Sequence, residues 1–333
     1  MRFAFDDDQL EFAAALKEVL SRECPPEVVR AAWDGAPSTA LWSTLSDMGV
    51  VGLLAAETDG GLGLADIDLV SLLFEAGRVA APIPLVDVAA VAVPTLSSFG
   101  TDEQSSIVSA LADGSRRVAL GLLVDRSIVA QADAADDLLL EAHDGLHLVP
   151  ISAVQLEALE SVDGSRRLAR VTWTPSAATR LADPAAASSS ALDRAAVATA
   201  AELCGLSRTM LDLTVAYVSE RKQFGVPVGS YQALKHRLAD ALLALEFAQP
   251  LVWRAAQSVG DGHPEASVHA SMAKAAASDA GGVVAEAALQ CHGAIGYTVE
   301  YDLHLFLKRT WALQRRVGDA AWHRRRVRRA LLG

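Results

Sequence analysis

From Leu192 onward the chain reads as a few very long helices, and little else constrains its fold so tightly. Leu206, Met210, Leu213 and Tyr217 recur at helical spacing and share one face; Leu234, Leu238, Leu242 and Leu245 do the same further on. The stretch "HASMAKAAASDAGGVVAEAALQ", residues 269–290, is dominated by small side chains, which let helix axes approach closely. Long amphipathic helices bury their stripes only against one another, so an antiparallel four-helix bundle is expected over residues 182–333.

The preceding residues have other periods. Residues 1–115 read as a helical domain: "DDQLEFAAALKEVLSREC" places Leu10, Ala13, Ala14 and Leu20 on one face, and Asp6 to Asp8 suit a helix N-terminus. Over residues 116–181 the segments shorten: "RRVALGLLVD", "DDLLLEAHDGLHLVP" and "DGSRRLARVTWTP" alternate or run apolar. Asp144-Gly145 and Asp163-Gly164 mark hairpins there, giving a small β domain. "SAATRLADPAAASSSA", Ser176 to Ala191, reads as a linker. The fold class expected is mainly α, with a shortened β domain between two helical ones.

Composition removes several function classes. The formal charge of -12 and pI near 5.1 oppose a general nucleic-acid binder. Mean hydropathy is +0.25, yet no run reaches the roughly 18 apolar residues of a spanning helix, so no membrane role is expected. "MRFAFDDDQLEF" is acidic where a signal peptide is basic and then apolar, and Cys24, Cys204 and Cys291 are isolated from one another. A cytoplasmic protein is expected. No His-Glu-x-x-His, paired cysteines or Gly-x-Ser-x-Gly is present, so neither a metal site nor acyl hydrolysis has support. "GGLGLAD" has no third glycine and no preceding strand, and reads as an interhelical turn rather than a dinucleotide loop.

One segment stands apart. "ERKQFGVPVGSYQ", Glu220 to Gln232, crowds two cations, aromatic residues and turn-formers into a break between helices. A guanidinium is the side chain best matched to a pyrophosphate, because its planar fork meets two oxygens at once. The bland alternative for Arg221 is a cation at a helix C-terminus, favoured by the dipole.

Three segments carry a resemblance. "AAETDGGLGLAD", "ERKQFGVPVGSYQALKHRLAD" and "QCHGAIGYTVEYDLHLFLKR" resemble, in order and spacing, the motifs of the acyl-CoA dehydrogenase family. The helix–β–helix layout is similar too. The resemblance implies an FAD-dependent α,β-dehydrogenation of an acyl-CoA thioester. It implies that Arg221 and Phe224 reach across a dimer interface to a neighbour's FAD, with Gln232 as a hydrogen-bonding partner. Gln290, Gly293 and Ala294 match the segment whose backbone approaches the cofactor's phosphates. His292 lies in the same motif and reads as a structural histidine. The basic tail, Arg315 to Arg329, reads as a solvated or inter-subunit helix face.

The chain also departs from the family. The family's usual base is a Glu just before a Gly; here the Gly is Gly318 and the preceding residue is Val317, which cannot accept a proton. Where some members place the base on the helix opening the bundle, the matching position falls on or near Ala195, with Asp193 and Glu202 out of register. The family's Thr-Glu-Pro and Gly-Ser segments have no counterpart between Arg116 and Pro175. This pattern resembles the shorter subunit of actinobacterial heterotetrameric dehydrogenases of steroid side chains, which implies a homologous full-length partner subunit and no catalytic residue in this chain. Two readings compete: a homomeric dehydrogenase with a displaced base at Asp193 or Glu202, and a degenerate helical scaffold.

Overall fold

The computed structural model describes residues 4–123 and 128–333. Met1 to Phe3 and the last two residues of "RRVALGLLVD" therefore lie outside the described residues. Helix α1 (Asp7–Glu23) starts on a reciprocal cap, in which Asp6 Oδ1 accepts from Gln9 N–H and Gln9 Oε1 from Asp6 N–H. Its inward face runs through Phe12, Leu16 and Leu20, whereas Leu10 is 54% exposed. The expected stripe was thus rotated: α1 packs chiefly on the helix Asp66–Arg78, so a narrow face suffices.

Helices α2 (Pro26–Trp33), α3 (Thr39–Asp47) and α4 (Asp66–Arg78) follow, with "GGLGLAD" forming the turn into α4. A buried π-helical segment, Val86–Ala92, runs into α5 (Val93–Phe99), and α6 (Asp102–Ser105) and α7 (Val108–Ala112) close the region.

Two small sheets come next. Strands β1 (Val118–Gly121), β3 (Asp137–Ala142) and β4 (Gly145–Pro150) form one, with β1 parallel to β3; β2 (Ile128–Ala130), β5 (Gln155–Leu159) and β6 (Leu168–Thr172) form the other in the order β2-β6-β5. Asp144-Gly145 lies at the tight β3–β4 turn. Asp163-Gly164 does not make one: β5 and β6 pair across a longer connection containing a 3-10 turn at Gly164–Arg166, and Asp163 is fully buried. A buried carboxylate with partners elsewhere in the molecule displaces the turn geometry its dipeptide favours.

Helix α8 (Pro184–Glu220) begins inside the segment read as a linker. Asp183 caps Ala186 N–H, Pro184 occupies the first turn, and the alanines propagate the helix. A short hairpin, β7 (Lys222–Gln223) and β8 (Val226–Pro227), leads to α9 (Gln232–Gly260), then α10 (Ala266–His292), α11 (Leu303–Arg315) and α12 (Ala320–Leu332). Helix α10 sits at the centre, packed against α8, α9, α11 and α12. Its buried face is built largely from alanines, as the small-residue run implies. Helix α8 also packs on α4, so closely that a Cβ on Gly205 would stand 2.0 Å from the Phe74 carbonyl oxygen. Leu245 is buried, but Leu242 is 38% exposed, because α9 is an outer helix with neighbours on one side. Among the described residues no helix is long and apolar enough to cross a membrane.

Candidate cofactor site

The bundle brings the two C-terminal motifs to one corner. Helices α8 and α10 run parallel: Asp193 bonds Ser267 near their starts, and the rings of Tyr217 and His292 stack with centroids 4.5 Å apart near their ends. Arg221 follows Tyr217 by one turn, its N–H donating to the Tyr217 carbonyl at 2.9 Å. The chain then turns back through the β7–β8 hairpin, with Phe224 at φ 52° and Gly225 at φ 83°, the two left-handed positions of a type I′ turn. A phenylalanine in that region is strained. Its ring is 92% exposed. Arg221 is exposed as well and has no ion pair among the described residues. Gln232 opens α9 directly after the hairpin, also exposed.

At the end of α10, Gln290 is exposed and Gly293 caps the helix with φ 63° and ψ -139°, a conformation open to glycine alone. Nothing lies within 4 Å of where a Cβ on Gly293 would be, so its backbone is bare toward solvent, as is Ala294. Arg221, Phe224, Gln232, Gln290, Gly293 and Ala294 thus share one exposed corner.

Known proteins carry the same architecture. The acyl-CoA dehydrogenase C-terminal domain matches residues 185–332, and the acyl-CoA dehydrogenase N-terminal domain matches residues 6–115. Acyl-CoA dehydrogenase IpdE2 of Mycobacterium tuberculosis is 33% identical over 295 residues, covering 87% of each chain. This chain belongs to the acyl-CoA dehydrogenase family. The IpdE2 of Mycolicibacterium smegmatis is also 33% identical, over 95% of this chain and 96% of its own. Among solved structures, a variant of the Tcur3481-Tcur3483 steroid ACAD superposes with a TM-score of 0.87 at 26% identity, over 96% of each chain. The ChsE4-ChsE5 complex of Mycobacterium tuberculosis reaches 0.91 at 22% identity over 99% of each, a likeness of fold.

For an acyl-CoA dehydrogenase family member, the position before Gly318 is the place to look for a base. Val317 stands there, 9% exposed, at φ 49°. Its carbonyl accepts from the Nε2–H of buried His323 at 3.0 Å. The next carbonyl, of Gly318, accepts from Lys274 Nζ at 3.3 Å, and the same ammonium donates to Ser278 Oγ and the Gln314 carbonyl. Burial, and then the charge of Arg316, lowers the Lys274 pKa to about 7; burial and the Lys274 charge push that of His323 down to about 3.

Val317 lines a cavity of about 160 Å³ with Leu120, Leu122, Leu168, Arg315 and Arg316. Beside it a cavity of about 30 Å³ is lined by Asp87, Arg166, Glu202, Arg309 and Arg316 among others. Arg316 forms an ion pair with Asp87, and Arg309 with Asp163. Glu202 faces this cluster; burial raises its carboxyl pKa, against the pull of Arg316 and Arg309. Burial also brings Arg166 down to about 10. Asp193 is elsewhere: its carboxylate is held by Arg326 and Ser267 near the start of α8. The sequence reading missed Asp87, Asp163, Arg309 and Arg316 as a group. Only their shared burial reveals them, since nothing in their spacing predicts that they meet.

Proposed function

We propose that this chain is the non-catalytic, cofactor-donating subunit of a heteromeric FAD-dependent acyl-CoA dehydrogenase, assembled with a homologous full-length subunit into a heterotetramer. The observation that carries the proposal is a separation. Lys274, which grips the loop holding Val317, lies 19 residues before Gly293 on one continuous helix, about 28 Å along its axis. Glu202 precedes Arg221 by the same 19 residues on α8. Only a short ribityl chain joins a flavin ring to its pyrophosphate. The exposed corner of one chain therefore serves a flavin seated in a neighbour.

The corner residues fit an FAD phosphate: a guanidinium on Arg221 with no ion pair among the described residues, bare backbone at Gly293, and an exposed aromatic ring at Phe224. FAD supplies hydride acceptance when bound; what this chain supplies is charge and shape. The chain's own cleft does not fit an isoalloxazine. Cavities of about 160 Å³ and 30 Å³ fall below the roughly 300–1,000 Å³ of ligand sites, and the Arg316–Asp87 pair lies in their shared wall. With Val317 at the base position, no proton acceptor faces that cleft from the loop before Gly318. The acyl-CoA substrate, with a bulky steroid-derived acyl group as the favoured class, is bound in the partner's site.

One observation favours the homomeric reading: Glu202 is a buried carboxylate with a raised pKa, as a general base requires. Its enclosure by arginines and the small cavity in front of it oppose that role. Visible spectra decide between the readings. The chain purified alone should be colourless and inactive, and should form a yellow, active complex with the full-length homologue. A yellow and active homomer would overturn the proposal.

A further inference from the structure

The corner is held together by three aromatic rings. His292 is the last residue of α10, Tyr217 stands one turn before the end of α8, and Tyr301 lies just ahead of α11. The His292 ring stacks on Tyr217 at 4.5 Å with an interplanar angle of 21°, and lies 4.9 Å from Tyr301; the two tyrosine rings are 5.9 Å apart. Tyr301 is itself next to Asp302, which pairs with Arg30 of α2. Both chain exits that carry the exposed motif residues leave from this cluster. Gly293 follows His292 directly, and Arg221 is bonded through its N–H to the Tyr217 carbonyl.

A merely space-filling residue at this position would be apolar. His292 Nδ1 lies 2.8 Å from the Ala288 carbonyl, so it is the protonated nitrogen and fixes the ring's orientation. Nε2 is then an acceptor, buried and without a partner among the described residues, which costs stability. Burial also lowers the ring's pKa, so it is uncharged at neutral pH. The fold tolerates the orphaned nitrogen and in return has a ring whose plane is set by its own helix and pressed flat on the neighbouring one. That contact ties the end of α8, from which the Arg221 hairpin leaves, to the end of α10, which Gly293 caps.

We infer that His292, through its stack on Tyr217, is a positioning residue that sets the Arg221 hairpin and the Gly293 backbone at the spacing one anionic ligand needs to be gripped by both. The inference rests on the cofactor-donating reading, and a double-mutant cycle separates the two. The assembled flavin complex would be titrated with FAD after removal of cofactor, following flavin fluorescence, for wild type, Arg221→Ala, His292→Ala and both together. His292→Ala should weaken FAD binding by about tenfold, and the pair of changes should weaken it by clearly less than the product of the two single losses, because a residue that acts only by positioning Arg221 has little left to lose once the guanidinium is gone. His292→Phe keeps a flat ring on Tyr217 and should restore most of the affinity. A loss from His292→Ala that multiplies with that of Arg221→Ala, or no loss at all, would overturn this inference alone. Wild-type affinity in Arg221→Ala would overturn the donating reading and the inference with it. Should His292→Ala fail to assemble, Tyr217→Leu takes the stack apart from the other side and replaces it in the cycle.

Discussion

The guanidinium of Arg309 and the carboxylate of Asp163 form an ion pair with both side chains almost wholly out of water, although 146 residues separate them. The same guanidinium donates from Nη1 to the Ala81 carbonyl at 3.1 Å and from Nη2 to Ser165 Oγ. One side chain of α11 thus ties the N-terminal helices and the β region to the bundle. Arg316 repeats the arrangement: it pairs with Asp87, whose other oxygen accepts from the Leu120 N–H of β1 at 3.2 Å.

Removing one partner of such a pair leaves a buried charge uncompensated. Arg309→Met should destabilise the chain by about 3–5 kcal/mol. Arg309→Met with Asp163→Asn should cost less than the two single changes summed. Urea unfolding of the three variants measures this; strict additivity would show that the pair does not act as a unit.

Arg221→Ala should lower the FAD content of the assembled complex, the lost charge-assisted contact being worth about 1.5–3 kcal/mol. Arg221→Lys should recover only part, since an ammonium is a point charge without the planar fork. The ratio of flavin absorbance to protein in dialysed complexes reports it, and equal ratios would remove Arg221 from the site.

Val317→Glu should create no substantial dehydrogenase activity in the isolated chain. A general base contributes about 10²- to 10⁴-fold only once substrate and acceptor are positioned before it. Here the restored carboxylate would open onto a small cavity walled by arginines. Acyl-CoA-dependent reduction of a dye acceptor is the assay. Glu202→Gln should likewise leave the turnover of the complex almost unchanged, and its collapse in a folded, flavin-replete complex would move the base to Glu202.

Stability should rise with pH from acid to mildly alkaline conditions. His323 has its pKa pushed down to about 3, below an unfolded value near 6.5; its neutral form is the folded one. Its contribution is complete above about pH 6.5 and is lost as pH falls toward 3. Lys274, lowered to about 7, is penalised as an ammonium, so the fold gains as pH climbs from 7 toward the unfolded value of about 10.4. Buried Cys24 and Cys204, each raised to about 12, act oppositely above about pH 8.5. Urea midpoints between pH 7 and 8.5 should therefore increase in the wild type and stay level in Lys274→Met; parallel slopes would exonerate the lysine.

Much of this was legible from residue order. The helical period after Leu192 foretold the bundle, and the Arg-x-x-Phe-Gly and Gln-x-x-Gly spacings brought the chain to its family. The misreadings were local. Ser176 to Ala191 looked like a linker because small residues carry no stripe, yet Asp183 and Pro184 start α8 inside it. Asp163-Gly164 looked like a hairpin turn, because a dipeptide does not reveal that its carboxylate is bound to an arginine of a distant helix.

What the sequence determined by itself was whatever depends on neighbours along the chain: helical and strand periods, caps, the family motifs, and the valine where a carboxylate is usual. Tertiary structure alone decided what depends on distance through space. The meeting of Tyr217 with His292 at one corner is such a fact, as is the run of about 28 Å along α10 between Gly293 and Lys274, whose ammonium bonds the Gly318 carbonyl next to Val317. So is the pairing of Arg316 with Asp87 in the wall of the cleft, residues 229 apart in the chain. The physical reason is that burial and Coulombic pairing are set by the packing of whole helices, and no local pattern of residues encodes which charges that packing will bring together.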